Sequence, residues 1–259
     1  MATNARPARA MPETAEAKLP DLAAAIARVK ASQTSESHRL AGDAYRDARI
    51  PDQAFEHYAR AVRMNPRDAG AWDGMARIWR DWGFAPLALA DAHRAVYHAP
   101  RSAPAHNTLG TILDALGERR LARRHYQRAL ALERRAAYAL NNLCYSWMLE
   151  GQPHLAAGAC RAALAESPSF TVAANNLGLA SAAAGDMAQA RADFVAAGDA
   201  GAAAYNSGIV YLAQGHYHEA AGAFERAAAL APRLLVVASA RARSARERAV
   251  STRHEDELR

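Results

Sequence analysis

Two pairs of adjacent asparagines stand at the head of apolar runs, Asn141 and Asn142 in "ALNNLCYSWMLEG" and Asn175 and Asn176 in "AANNLGLASAAAG". A primary amide carries both a donor and an acceptor, so it can pair with any peptide backbone whatever that peptide's side chains. Asn is also a mediocre helix former that competes for backbone hydrogen bonds, so its place in an apolar run needs a reason. The two pairs lie 34 residues apart. Other residues with chemical potential are five arginines in "ERRLARRHYQR" (118–128), two cysteines, and ten scattered histidines. Cys144 and Cys160 form no CxxC spacing. His216 and His218 flank Tyr217 with no third ligand nearby, so no metal site is expected. The sequence holds no GxxxxGK[ST], HExxH, GxSxG or GxGxxG string. No catalysis and no cofactor are expected.

The 34-residue interval extends along the chain. Counting positions from the start of each interval, position 8 holds Gly42, Ala76, Gly110, Cys144, Gly178 and Gly208. Position 20 holds Ala54, Ala88, Ala122, Ala156, Ala190 and Ala220, and position 27 holds Ala61, Ala95, Ala129, Ala163, Ala197 and Ala227. The fifth interval is about four residues short. Small residues in register let two helices approach closely. Gly83, Gly117, Gly151, Gly185 and Gly215 can end the first helix of a pair, and Pro66, Pro100, Pro168 and Pro232 stop the second. One pair cannot bury its own apolar face, so the stack is the folding unit.

"AYNSGIVYLAQGHYHEAAGAFERAAALAP" (204–232) resembles the tetratricopeptide-repeat family, and the resemblance covers about residues 35–232. It implies an all-α, right-handed superhelix of six helix–turn–helix repeats, at 35–68, 69–102, 103–136, 137–170, 171–200 and 201–232. Around these, residues 1–18 are expected to be disordered and 19–34 to form a short amphipathic helix and linker. Residues 233–250 are expected to form a capping helix with its apolar side on the last repeat and its arginines in water. Residues 251–259 are expected to be a loose tail.

The resemblance further implies that the outward side of each first helix lines a concave groove. Positions 5 and 6 border that side. They hold Asn107, Asn141, Asn175 and Tyr205, and Thr108, Asn142, Asn176 and Asn206, in the last four repeats. With Tyr145, these asparagines and Tyr205 are the expected peptide-binding residues. The amide ladder is similar to that of the protein O-GlcNAc transferases, which grips polypeptide backbone. Two readings of it stay open: contact with a client, or bonds between neighbouring helices. Tyr138, Met148, Leu179, Ile209 and Leu212 would give the C-terminal half an apolar floor. Arg39, Asp43, Arg77 and Arg80 would form a charged entrance in the N-terminal half. Arg39 and Asp43 stand where a clamp for a client's terminal carboxylate needs Lys and Asn, so no such clamp is expected. Arg119, Arg120, Arg123 and Arg124 form a candidate basic patch on the second helix of the third repeat. Cys144 and Cys160, at positions 8 and 24 of one repeat, can approach each other but are read as two small buried residues.

The chain of 259 residues carries 32 basic and 26 acidic residues, a net charge of +6 spread along its length. That balance permits acidic partners without demanding them. The arginines lack interleaved aromatics, so nucleic acid is not an expected partner. No apolar leader, lipobox or run long enough to span a membrane appears, which points to the cytoplasm. The function expected is a protein-interaction scaffold whose partner is another protein or a peptide segment. Two narrower roles are a bacterial pilus-assembly or secretion factor and the recognition module of a separate enzyme. "NNLG" and "YNSGIVYLAQG" are similar to strings in tetratricopeptide proteins of Tad/Flp pilus assembly.

Overall fold

The computed structural model describes residues 20–257, and the expected disorder of residues 1–18 lies outside them. The described residues are all helical apart from turns, with no strand among them. A first helix, α1 (Pro20–Ala31), precedes six consecutive helix pairs. These are α2 (Ser35–Asp47) with α3 (Pro51–Met64), α4 (Ala69–Asp81) with α5 (Ala85–His98), and α6 (Ala103–Ala115) with α7 (Arg119–Leu132). Then come α8 (Ala137–Leu149) with α9 (Pro153–Glu166), α10 (Thr171–Ala183) with α11 (Met187–Ala197), and α12 (Ala200–Ala213) with α13 (Tyr217–Leu230). A short 3-10 turn (Pro232–Leu234) leads into α14 (Leu235–Glu257). The chain divides into two compact units of three pairs each, one up to Arg134 and one from Arg135.

Local chemistry sets the helix ends. Thr34 caps α2 in a reciprocal pair with Ser37, and the side chains of Asp68, Ser102, Asp186 and Asp199 accept from the first turns of α4, α6, α11 and α12. Prolines open α3 and α9, where a missing N–H costs nothing. The turn inside each of the last five pairs has a glycine at positive φ, between 69° and 89°. In the first pair Arg49 takes that place at φ 60°, the one non-glycine in the left-handed region among the described residues. The missing residues of the fifth repeat come off the end of α11, which has 11 residues where its counterparts have 14. Gly198 and Asp199 then turn the chain directly into α12.

Within a pair, the position-8 glycine lies under the position-24 ring. A Cβ on Gly110 would stand 2.5 Å from the Tyr126 ring, one on Gly178 2.5 Å from Phe194, and one on Gly208 2.8 Å from Phe224. Tyr58 fills the same role in the first pair and also reaches across to Gly74 of α4, so one ring joins two repeats. All four rings are essentially inaccessible to water. The tyrosine hydroxyls are satisfied: Tyr58 donates to Asp43 and Tyr126 to Asp114, each at 2.8 Å. The fourth pair departs from this arrangement. Cys144 and Cys160, read from sequence as two small buried residues, are joined by a disulfide, with Cα atoms 5.3 Å apart and no exposure. Two position columns that face each other across antiparallel helices are as close as a disulfide requires.

The C-terminal helix departs from expectation in three ways. Its apolar cover on α13 is made by Ala238, Ala242 and Ala245, while Leu235, Val236 and Val237 are exposed. Its helical course continues to Glu257, so residues 251–257 are not the loose segment expected. Nor do all its arginines simply face water: Arg246 pairs with Glu225 of α13, and Arg241 lies over the Tyr205 ring.

Candidate functional site

In the second unit the asparagines bond to one another across repeats. Asn176 Nδ2 of α10 donates to Asn141 Oδ1 of α8 at 2.9 Å, and Asn206 Nδ2 of α12 donates to Asn175 Oδ1 of α10 at 2.7 Å. Position 6 donates to position 5 of the preceding repeat in both cases. Asn141 is buried, and the other three are half-buried. Each bond uses one donor and one acceptor, so each amide keeps part of its capacity. Tyr145, on the same helix as Asn141, is 49% exposed. Met148, Leu179, Ile209 and Leu212 are half-buried around this row. Tyr205 is not an open side chain: its ring is half-buried, edge-on to Phe224 and beneath Arg241. Asn142 is half-buried, as is Asn107 in the first unit.

The first unit replaces this row with charges. Arg77 Nε pairs with Asp73 at 2.8 Å and donates to Thr108 Oγ1 at 3.1 Å, so positions 5 and 6 of adjacent repeats are bridged through an arginine. Arg80 donates to Thr111 and pairs with Asp81. Arg39 and Arg46 both pair with Asp43, each at 3.3 Å. Arg39, Asp43, Arg46, Asp73, Arg77 and the first turn of α6 surround a cavity of about 420 Å³. Arg80, expected at this entrance, is not part of the cavity wall.

The candidate basic patch does not hold together as one surface. Arg123 is buried and Arg119 half-buried, while Arg120 and Arg124 are exposed. Successive residues on a helix point about 100° apart, so a dense sequence cluster divides between inside and outside.

Sequence reasoning missed two histidine pairs. His38 Nδ1 lies 3.1 Å from His57 Nδ1, and His106 Nδ1 lies 3.0 Å from His125 Nδ1. Both pairs occupy positions 4 and 23 of their repeats, and that register was the available signal. The Nε2 of His106 faces the Pro100 carbonyl, so it carries the proton and its Nδ1 accepts from His125. Burial lowers both His57 and His125 to about 4, with the neighbouring imidazole adding to each. Among the described residues no group of three such side chains is placed to hold a metal ion.

The family pattern of the tetratricopeptide repeat matches residues 201–234. That segment is the last helix pair; four of the five pairs before it repeat its glycine turn, and all five repeat its small position-20 and position-27 residues. The chain is built from tetratricopeptide repeats. Solved structures agree in fold. MamA aligns with a TM-score of 0.51 at 25% identity, over 60% of this chain and 91% of that one. PilW, a widely conserved type IV pilus biogenesis factor, aligns with a TM-score of 0.66 at 20% identity, over 76% of this chain and 94% of that one. The Cut9–Hcn1 assembly of the APC/C aligns with a TM-score of 0.71 at 18% identity, over 89% of this chain and 46% of that one. No curated protein matches by sequence. Tetratricopeptide repeats are an architecture of protein–protein interaction scaffolds, and no helix among the described residues is long and apolar enough to cross a membrane.

Proposed function

We propose that this tetratricopeptide protein is a non-catalytic scaffold that holds an extended client segment on the first-helix face of its second unit. The observation that carries this reading is the row of mutually bonded amides. Asn141, Asn175, Asn176 and Asn206 are fixed by each other, yet Asn175 Nδ2, Asn176 Oδ1 and Asn206 Oδ1 have no partner among the described residues. Side chains already ordered lose little further freedom on binding, which favours capture of a peptide backbone. Tyr145 beside them offers an amphipathic surface. The two readings of the asparagines are therefore compatible: the bonds between helices orient the groups left for the client.

A photo-cross-linking residue placed at Tyr145 tests this, with the same residue at Arg124 on the second helix of the third repeat as the comparison. Adducts with a partner polypeptide are expected from Tyr145 and not from Arg124. The reverse pattern would move the interaction to the second-helix face.

A narrower role, as accessory factor of a pilus or secretion assembly, draws support from the fold likeness to PilW and to PilF of Pseudomonas aeruginosa. The Cys144–Cys160 disulfide bears on where such work is done, because structural disulfides belong to oxidising compartments. It favours a site outside the cytoplasm over the cytoplasmic location read from the sequence. Titration of free thiols in protein taken from its native cell distinguishes the two.

A further inference from the structure

The charged cavity of the first unit lies apart from the amide row. Its wall holds three arginines and two aspartates, which alone would suggest near-neutrality. Exposure breaks the balance. In the Arg77–Asp73 pair the arginine side chain is 30% exposed and the aspartate 14%. In the Arg39–Asp68 pair the figures are 29% and 11%. Asp73 Oδ1 is sealed from solvent and has no hydrogen-bond partner. Asp73 and Asp68 therefore sit behind the guanidinium groups and hold them in place, while Asp43, at 33%, is as exposed as Arg39 and Arg46, so the surface offered to a ligand carries three arginines against one aspartate.

The bonding inventory points the same way. Arg77 spends only its Nε on Asp73 and Thr108, which leaves both terminal nitrogens, the fork that grips a carboxylate, without a partner among the described residues. Arg39 likewise keeps one terminal nitrogen, since Nε faces Asp68 and Nη1 bonds Asp43. Gly70 gives Arg39 its position: a Cβ there would stand 2.8 Å from Arg39 Cδ. Arg46 is already committed to Asp43, Asp47 and Tyr58, so it serves as wall rather than as ligand-binding group. A cavity of about 420 Å³ is wide enough for an acidic side chain and the backbone that carries it.

We propose that this cavity seats an internal Asp or Glu side chain of a client peptide, its carboxylate held between Arg77 and Arg39. The proposal rests on the reading of the protein as a peptide-binding scaffold and adds a second, charge-selective contact to it.

Fluorescence anisotropy with a short Glu-containing peptide tests it, against the same peptide with Gln at every Glu. Both peptides are acetylated and amidated, so that no terminal carboxylate contributes. The Glu peptide is expected to bind at least about tenfold more tightly, and the Arg39→Ala/Arg77→Ala variant to lose about that factor. Arg77→Lys, which keeps the charge but not the fork, should fall between, and Gly70→Ala should weaken binding by displacing Arg39. Arg120→Ala/Arg124→Ala should bind as the unaltered protein does. Equal affinity for the two peptides, no binding of either, or an equal loss in the Arg120/Arg124 variant overturns the proposal. Should the peptides fail while Tyr145 still cross-links a partner, the cavity assignment falls alone. Should both fail, the scaffold reading falls with it.

Discussion

Asn206 donates its side-chain amide to Asn175 one repeat earlier, at 2.7 Å, as Asn176 does to Asn141 at 2.9 Å. A donor at position 6 and an acceptor at position 5 thus form a link between consecutive first helices, in addition to the apolar packing between them. If that link is energetic as well as geometric, the two residues of a pair are coupled. A double-mutant cycle on Asn141→Ala and Asn176→Ala should return a coupling of about 0.5–1.5 kcal/mol in denaturant unfolding. Strict additivity would mean that the amides merely lie side by side.

The glycines inside helices divide into two kinds, and one substitution should have opposite signs at them. A Cβ at Gly110 would stand 2.5 Å from the buried Tyr126 ring, whereas one at Gly158, exposed on α9, meets nothing within 4 Å. Gly110→Ala is expected to destabilise by about 1–3 kcal/mol through overpacking. Gly158→Ala is expected to stabilise by about 0.5–1 kcal/mol, because alanine has less backbone freedom to lose in a helix. Thermal unfolding of the two variants measures both signs.

The fourth repeat depends on covalent chemistry where its neighbours depend on a ring. The Cys144–Cys160 bridge closes a loop of sequence separation 16 between α8 and α9. Cys144→Ala/Cys160→Ala is expected to cost about 2–4 kcal/mol, since the cross-link restricts the unfolded chain and no aromatic fills its place. The loss should appear in hydrogen exchange of α8 and α9 while α2 to α7 are unchanged. Uniform loosening of both units would contradict a local role.

Acid should weaken the first unit. His57 and His125 are lowered to about 4 in the fold, against about 6.5 for a free imidazole. Between those values the unfolded chain binds the protons and the folded one does not. The stability is therefore complete above about pH 6.5 and is lost as pH falls towards 4. Arg60 and His38 face His57, and His106 and His93 face His125, so each added proton meets positive or ionisable neighbours. Urea midpoints measured across this range should fall more steeply for the unaltered protein than for His57→Gln/His125→Gln.

The repeat was legible in the sequence because its columns of small residues are a direct image of helix contact: Gly42, Gly110, Gly178 and Gly208 are small since a ring lies on each. Contacts between repeats were less legible. That position 6 would meet position 5 of the preceding repeat depends on the offset between stacked pairs, which no single repeat encodes. The four clustered arginines misled because density along the chain is not density on a surface, and Arg123 turned inward. The histidine pairs passed as scatter until helix pairing brought residues 19 apart within hydrogen-bond distance. At the C-terminus the sequence pointed to an apolar side without saying which residues form it, and the close approach of α14 to α13 selects the alanines.

The fifth repeat has asparagine at both linking positions, so it receives a bond from the repeat after it and gives one to the repeat before it. Such a segment is a self-complementary tile. A tandem copy of it would bring its own donor to the original's acceptor and leave no amide stranded at the new seam. The fourth repeat, by contrast, would duplicate its two cysteines and with them a second oxidation to be completed. Copying the fifth repeat would therefore lengthen the array with its amide bonds intact and no further cysteines to oxidise.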